Sequence, residues 1–375
     1  MKTIAIFTIS LRGGGAERII SELLDAGKER FKLHLILLDP EIVYQVPDHP
    51  NVHVHALPMA PRSKVLSVLF LLVSAWHLRS LLRSLEVDTL LSVLNRPNLI
   101  ACMARRLGWR GRLILSERAD TLAYFNSIRF GNVMLFLVKR LYNTADLVVT
   151  ISKGIALSLE SLGVKNCLPI HNPIRLPVKN DLAPYREAPS PFTFVAMGRL
   201  EPQKNYPFLL RSLAAMKTTN SHLIILGKGV LEAELKALAA DLGVAERVTW
   251  AGFQKDIAPW LHKADASVLA SDYEGFGNVI PEALARGLPM VVTDCPHGPR
   301  EIIAPDTEVA FKIKEHYEEA AYGLLAPVGN IAGLSAAMDR IATDTELRQR
   351  YAALGPKRAA DFALPAVAEK YFRQF

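Results

Sequence analysis

The chain has 375 residues, half of them hydrophobic and 22% charged, which is enough apolar material for two ordinary domains and excludes a disordered chain. Three scattered cysteines, Cys102, Cys167 and Cys295, exclude a disulfide framework or a Cys-rich zinc module and suit a reducing compartment. The net charge of +7 is uneven: residues 1–175 hold 22 Lys and Arg against 13 Asp and Glu, residues 176–375 hold 22 against 24, and a basic first half points to an anionic partner.

The first residues, MKTIAIFTIS, lack the long apolar core and small-residue cleavage site of a signal peptide. Thr3–Ile9 reads as a strand, GGGAER (residues 13–18) as a glycine loop, and the stretch from about Ala16 to Gly27 as a helix. Glycines let backbone amides approach a ligand, and the following helix start favours an anion. Gly13 and Gly15 begin the dinucleotide fingerprint, but Arg18 stands where its third glycine belongs, which disfavours a nicotinamide enzyme.

Lys32–Leu38, Thr89–Val93, Leu113–Ser116 and Leu147–Ile151 are further strands with helical stretches between them, the alternation of a doubly wound parallel sheet. The longest apolar run, Val65 to Trp76, falls short of the roughly 20 residues that span a bilayer, so a cytoplasmic location is expected. It belongs to Lys64–Arg83, apolar with basic residues at its ends, which reads either as a buried helix or as one lying on an anionic membrane. Ile128–Tyr142, with Arg129, Lys139 and Arg140, could assist in the second role.

Residues 171–191 are proline-rich and read as a linker, after which the alternation restarts. Strands are expected at Phe192–Met197, His222–Leu226, Arg247–Ala251, Ala266–Ala270 and Pro289–Thr293, with helices at Tyr206–Met216 and Leu231–Leu242. A last helix, Pro365–Phe375, could pack back on the first domain.

Three stretches of this half carry chemistry. GRLEPQKN (198–205) puts Arg199 and Lys204 at the carboxyl end of a parallel strand, where open α/β sheets bind ligands and where two cations could hold a diphosphate. LGKG places Gly227 at the next strand end, where a glycine-permitted loop could pass a phosphate close to backbone. YEGFGNVIPE (273–282) follows an apolar strand: a carboxylate, Glu274, then Gly275 and Gly277 to aim amides outward, then a helix start near Asn278 facing phosphate oxygens, then Glu282 a turn further on.

SDYEGFGNVIPEALARGLPMVVTD, GRLEPQKN, GGGAER and DCPHGPREII (294–303) together resemble, in order and over nearly the whole chain, the retaining GT-B glycosyltransferases of group 1, among them enzymes that build lipid-linked oligosaccharides. The resemblance implies an α/β chain of two Rossmann-like domains facing each other across a cleft: residues 1–175 on the acceptor side, 176–358 binding the nucleotide sugar, and 359–375 as a returning helix. It implies transfer of a hexose or N-acetylhexosamine, with retention, from a nucleotide-diphosphate sugar (UDP by resemblance) to a polyprenyl-diphosphate-linked or other membrane glycan. Arg199 and Lys204 match the diphosphate pair, Glu274 the donor-sugar carboxylate and Glu282 the ribose ligand. Gly275, Phe276, Gly277 and Asn278 match the loop under the donor, and Gly14 and Gly15 the first-domain loop near the diphosphate. Where many members carry a histidine on the acceptor side, this chain reads SERAD, so Glu117 and Arg118 stand there, with Arg118 either holding an acceptor phosphate or forming a structural ion pair.

No Asp-x-Asp occurs, and among the looser acidic pairs Asp344 with Glu346 reads as a helix cap, so no metal cofactor is expected. An epimerase would need acid and base groups around the sugar, and a silent binding subunit would not need Glu274, Arg199 and Lys204 intact. A nucleic-acid binder would show interleaved aromatic and basic residues, which are missing.

Overall fold

Apolar, β-branched runs pair in parallel and are covered on both faces, so they carry little polar alternation. The computed structural model describes residues 1–12, 15–57, 68–126, 131–177, 182–187 and 190–375. They divide into two units: Met1–Pro173 with Leu364–Phe375, and Ile174–Ala363.

The first unit runs β1 (Thr3–Thr8), α1 (Gly15–Gly27), β2 (Lys32–Leu37), β3 (Val52–Ala56), α2 (Val68–Ser84), β4 (Thr89–Val93) and α3 (Asn95–Arg106). It continues with β5 (Arg112–Glu117), α4 (Thr121–Asn126), α5 (Gly131–Leu141), β6 (Leu147–Thr150), α6 (Lys153–Ser161) and β7 (Cys167–Pro169). The sheet order is β3-β2-β1-β4-β5-β6-β7, all parallel. β4 is buried from end to end, as a central strand with helices on both faces must be. The chain order reverses between β1 and β4, which marks the place where such sheets bind ligands.

Two strands of this sheet are absent from the sequence expectations, both at its edges. β3 reads VHVHA with every second residue exposed or nearly so, and β7 is three residues ending in proline. Edge strands bury little and so lack the apolar run that announces a central one. β3 brings His53 opposite His34 of β2 and stacks the two rings at 5.1 Å, while His34 Nδ1 lies 2.9 Å from His55 Nε2. His34 is buried, its Nε2 has no hydrogen-bond partner among the described residues, and burial together with its two histidine neighbours lowers its pKa to about 4.

The second unit runs β8 (Phe192–Met197), α7 (Tyr206–Ala214), β9 (Ser221–Leu226), α8 (Glu232–Asp241), β10 (Val248–Gly252), α9 (Ala258–Leu261), β11 (Ala266–Leu269) and α10 (Val279–Leu284). Then come β12 (Met290–Thr293), α11 (Pro299–Ile303), β13 (Glu318–Glu319), β14 (Leu324–Ala326), α12 (Ile331–Thr343) and α13 (Thr345–Ala360). Its sheet, β10-β9-β8-β11-β12-β14-β13, repeats the first order over its first five strands and swaps the last two, with only β13 antiparallel, and its reversal lies between β8 and β11. The linker is fastened to this unit: Arg186 grips Asp265 with two hydrogen bonds of 2.7 and 2.6 Å, and Arg348 donates to the Glu187 carbonyl at 2.7 Å.

The expected returning segment starts later than residue 359, because α13 continues to Ala360 and the Ile174–Ala363 bridge keeps both residues in the second unit. α14 (Leu364–Phe372) lies in the first unit against α1, with Phe372 edge-on to Phe31 at 5.3 Å and Lys2 Nζ capping the Phe375 carbonyl at 2.9 Å. A side chain at Gly27 would meet the Phe372 ring at 3.3 Å, so this helix end is close-packed.

Candidate functional site

Because β8 and β11 are neighbours, the loops leaving their carboxyl ends are neighbours too, although about 70 residues separate them in sequence. GRLEPQKN and SDYEG are stitched together. Asn205 Nδ2 donates to Asp272 at 2.7 Å, Gln203 Nε2 to the Tyr273 carbonyl at 2.8 Å, and the Asp272 amide to the Gln203 carbonyl at 3.0 Å. Asn205 adopts left-handed backbone and caps α7 through the Phe208 amide, which turns the loop towards β11.

At the centre, Lys204 Nζ meets Glu274 Oε1 at 2.5 Å. The side chains are 15% and 7% exposed, so the charges attract through protein more than through water. Glu274 Oε1 also accepts from Ser271 Oγ at 2.7 Å, the Ser271 carbonyl accepts from Thr293 of β12, and the Glu274 amide donates to the Pro296 carbonyl at 3.1 Å. A carboxylate whose Oε1 is held by an ammonium and a hydroxyl, on a backbone pinned through its own amide, is a preorganised polar centre with little freedom to wander. Arg199 is 70% exposed and among the described residues pairs only with Glu201, at 2.9 Å; such a surface pair is worth about 1 kcal/mol or less, so its guanidinium can be recruited by a ligand at small cost.

The other expected donor residues fall out as follows. Gly277 has φ +84°, a conformation that favours glycine, and lets the chain turn into the six-residue α10. Gly275, Asn278 and Glu282 are partly exposed along this loop and helix. The Phe276 ring is buried edge-on against Phe362 at 5.4 Å, so this residue can offer a donor only its backbone. At Gly227 a Cβ would lie 1.9 Å from the Gly198 carbonyl, so close approach of the neighbouring loop by itself demands a glycine there. Gly15 opens α1, while Gly14 lies outside the described residues.

The acceptor-side expectation is also corrected. Glu117 at the end of β5 is fully buried and accepts hydrogen bonds from Asn95 Nδ2 (3.0 Å), Asn98 Nδ2 (2.8 Å), Thr121 Oγ1 (2.8 Å) and the Tyr142 hydroxyl. Burial raises its pKa against the opposing pull of these donors, and it raises that of Tyr142 as well. A carboxyl enclosed this way ties β5 to α3, α4 and the turn after α5 and is out of an acceptor's reach. Arg118 donates through Nη1 to the Tyr371 hydroxyl of α14 at 3.1 Å, and its buried Nη2 has no hydrogen-bond partner among the described residues.

Among the described residues, no cluster of His, Cys, Asp or Glu could hold a metal ion, and no helix is long and apolar enough to cross a membrane. Asp344 caps α13 through the Leu347 amide at 2.8 Å, as its place in the sequence indicates. Residues 64–67 and 128–130 of the two apolar stretches lie outside the described residues. α2 has two faces: Leu71, Ala75, Leu78 and Leu82 are buried, whereas Leu72, Val73 and Trp76 are about half exposed. α5 likewise exposes Val133 and Phe136 beside Lys139 and Arg140, and both helices pack on α3.

The sequence gives no individual role to Ser271, Gln203 and Asn205, and marks Asp272 only as one of the looser acidic pairs, with Glu274. Otherwise only their membership of two polar strand-end loops marks them. The segment 294–303 was noticed only for its resemblance, although it too packs on the Glu274 loop.

The family profile described as glycosyl transferases group 1 matches residues 178–358, and that described as glycosyltransferase family 4 matches residues 13–176. A Campylobacter jejuni protein named N-acetylgalactosamine-N,N'-diacetylbacillosaminyl-diphospho-undecaprenol 4-alpha-N-acetylgalactosaminyltransferase is 33% identical over 366 residues, 96% of each chain. The lipopolysaccharide 1,6-galactosyltransferase of Salmonella typhimurium is 32% identical over 43% of this chain and 46% of its own. Among solved structures, the lipopolysaccharide outer core galactosyltransferase WaaB aligns over 100% of this chain and 99% of its own, with TM-score 0.77 and 20% identity. Anabaena HepE in complex with UDP and glucose gives 0.74 and 18% over 100% and 99%. At such identities the structural likeness speaks for the fold.

Proposed function

This chain is a group 1 glycosyltransferase of the GT-B fold, and from that premise we propose that it moves an N-acetylhexosamine or hexose from a UDP-sugar, with retention, to a polyprenyl-diphosphate-linked or other membrane-held glycan. The observation that carries this reading is the Lys204–Glu274 pair at the chain reversal of the second sheet, beside Arg199.

The diphosphate is met by Arg199 and Lys204, the sugar hydroxyls by Glu274 and the ribose by Glu282. When the bond from C1 to the diphosphate oxygen breaks, negative charge grows on the leaving group, and the two cations stand where that charge develops. The acceptor hydroxyl adds to C1 on the face being vacated, and its proton passes to a donor phosphate oxygen. Glu274 makes no covalent bond in this scheme. Its charge is already balanced by Lys204, and its partner Glu282 serves the ribose. The relative's name gives an alpha-linked product; an alpha-linked nucleotide sugar yielding an alpha-glycoside is retention.

No metal is required in this reading, because side-chain cations meet the diphosphate. Activity should survive EDTA; loss restored by magnesium would remove that part. The half-exposed apolar residues of α2, and those of α5 beside its own Lys139 and Arg140, support docking on an anionic membrane surface from the cytoplasmic side. Flotation with anionic liposomes at low salt tests it, and absence of binding would count against it.

The deciding experiment is a melting-temperature screen of UDP-, GDP- and ADP-sugars, followed by mass analysis of product from an undecaprenyl-diphosphate-linked acceptor. A single added sugar residue on that acceptor is expected. Turnover of the donor without any acceptor would point to another reaction class.

A further inference from the structure

Asp294 follows β12 and is fully buried. It accepts from Arg300 Nε at 3.0 Å and Nη2 at 2.8 Å, from the Ile313 amide at 3.0 Å and from Lys312 Nζ at 3.3 Å. Arg300, 1% exposed, also reaches Glu318 at 2.8 Å and Thr307 Oγ1 at 3.1 Å, while Lys312 donates to the Cys295 carbonyl at 3.3 Å. Two cations and two carboxylates balance, so the buried arginine is neutralised in place and has no charge to spare for a diphosphate. A planar guanidinium with three fixed acceptors is instead a rigid brace.

The braced segment is the turn from Cys295 to Gly298, and it supports the Glu274 loop at two points. The Pro296 carbonyl accepts the Glu274 amide at 3.1 Å, and Gly298 lies so close that a Cβ there would stand 2.2 Å from the Phe276 carbonyl. His297 (φ +63°) and Gly298 (φ +86°) both hold left-handed backbone, which for the histidine is a strained conformation that the surrounding contacts must offset.

We propose that Asp294 and Arg300 are positioning residues: by holding the Cys295–Gly298 turn they fix the backbone from Glu274 to Phe276 and so aim the Glu274 carboxylate at the donor's sugar. The inference rests on the proposed role of Glu274 in sugar binding. It makes a prediction that a purely structural brace does not: the sugar half of the ligand should suffer more than the nucleotide half, which Arg199 outside the braced turn still meets.

Isothermal titration of UDP and of UDP-N-acetylgalactosamine, with melting temperatures, tests it on the full chain. Arg300→Lys keeps the charge but loses the two-pronged grip. It should weaken UDP-N-acetylgalactosamine about tenfold, leave UDP within about twofold, and lower the melting temperature by a few degrees. Gly298→Ala, which moves the same backbone without touching a charge, should show the same selectivity and serves if Arg300→Lys does not fold. Equal affinities of wild type and both variants for the sugar nucleotide, or equal losses for both ligands, would overturn the positioning role. Glu274→Gln is titrated alongside. If it leaves the sugar nucleotide's affinity unchanged, the reading of Glu274 itself has failed, and the brace then has no sugar contact to position.

Discussion

Two buried carboxylates stand at the carboxyl side of the two sheets, Glu117 as the last residue of β5 and Glu274 in the loop that follows β11, and their partners differ in kind. Glu117 is wrapped by neutral donors, two asparagines, a threonine and a tyrosine. Glu274 is paired with an ammonium and a serine hydroxyl at a rim where the next residues, Gly275 and Tyr273, meet solvent. A carboxyl closed in by neutral groups has its hydrogen bonding satisfied and holds helices to a sheet. One balanced by a single lysine can share that lysine with a ligand's phosphate while its own oxygens accept from the ligand's hydroxyls. Burial alone therefore does not separate a structural carboxyl from a functional one; whether its partners can be shared with a ligand does.

The comparison breaks most visibly at Lys204. Lys204→Met should cost about 3–5 kcal/mol of stability by leaving Glu274 charged and unpaired, and should lower activity as well. Glu274→Gln should lower kcat/KM by about two to three powers of ten, the scale of losing one aligned electrostatic contact. In the double variant stability should recover much of the loss while activity stays low, a separation that chemical denaturation and steady-state kinetics can read together. Recovery of activity with stability would make the pair a structural tie like Glu117.

Glu117→Gln should do the reverse of Glu274→Gln. It retains the shape but presents an amide donor to four donors, so about 1–3 kcal/mol of stability is expected to go, with kcat/KM of the folded protein unchanged. A fall in activity at full stability would return Glu117 to the acceptor side.

The smallest effect concerns His34, a buried group that must stay neutral. Its pKa is about 4 in the fold against 6.5 for an ordinary histidine, so the unfolded chain takes up the proton first as pH falls. The stability owed to neutral His34 is complete above about pH 6.5 and declines towards pH 4. Melting temperatures across that window should fall less steeply in His34→Leu than in the wild type. An identical slope would remove His34 as the titrating group.

Much of this was legible from residues in a row. Central strands such as Thr89–Val93 and Phe192–Met197 stand where their apolar runs indicate, because a strand covered on both faces writes its burial into consecutive residues. Glu274 and Lys204 were legible as candidate residues because each sits in a polar, glycine- or proline-marked loop directly after such a strand. Edge strands β3 and β7 were not, since half-exposed residues leave no such trace. At Gly227 the sequence does not show that the Gly198 backbone already demands a glycine, because such a glycine looks the same in sequence as one demanded by a ligand. Glu117 misled because its four donors come from Asn95, Asn98, Thr121 and Tyr142, scattered over separate elements.

By itself, then, the sequence determined the order and kind of the main elements, the division into two α/β units and the identity of the polar loops, all of which depend on interactions between near neighbours. Tertiary structure decided which charge meets which. Lys204 found Glu274 only because β8 and β11 lie side by side, and Asp294 found Arg300 and Lys312 only when the turn and the following loop folded over β12. Such pairings are set by strand order and chain reversal across tens of residues, and no local pattern of residues encodes them.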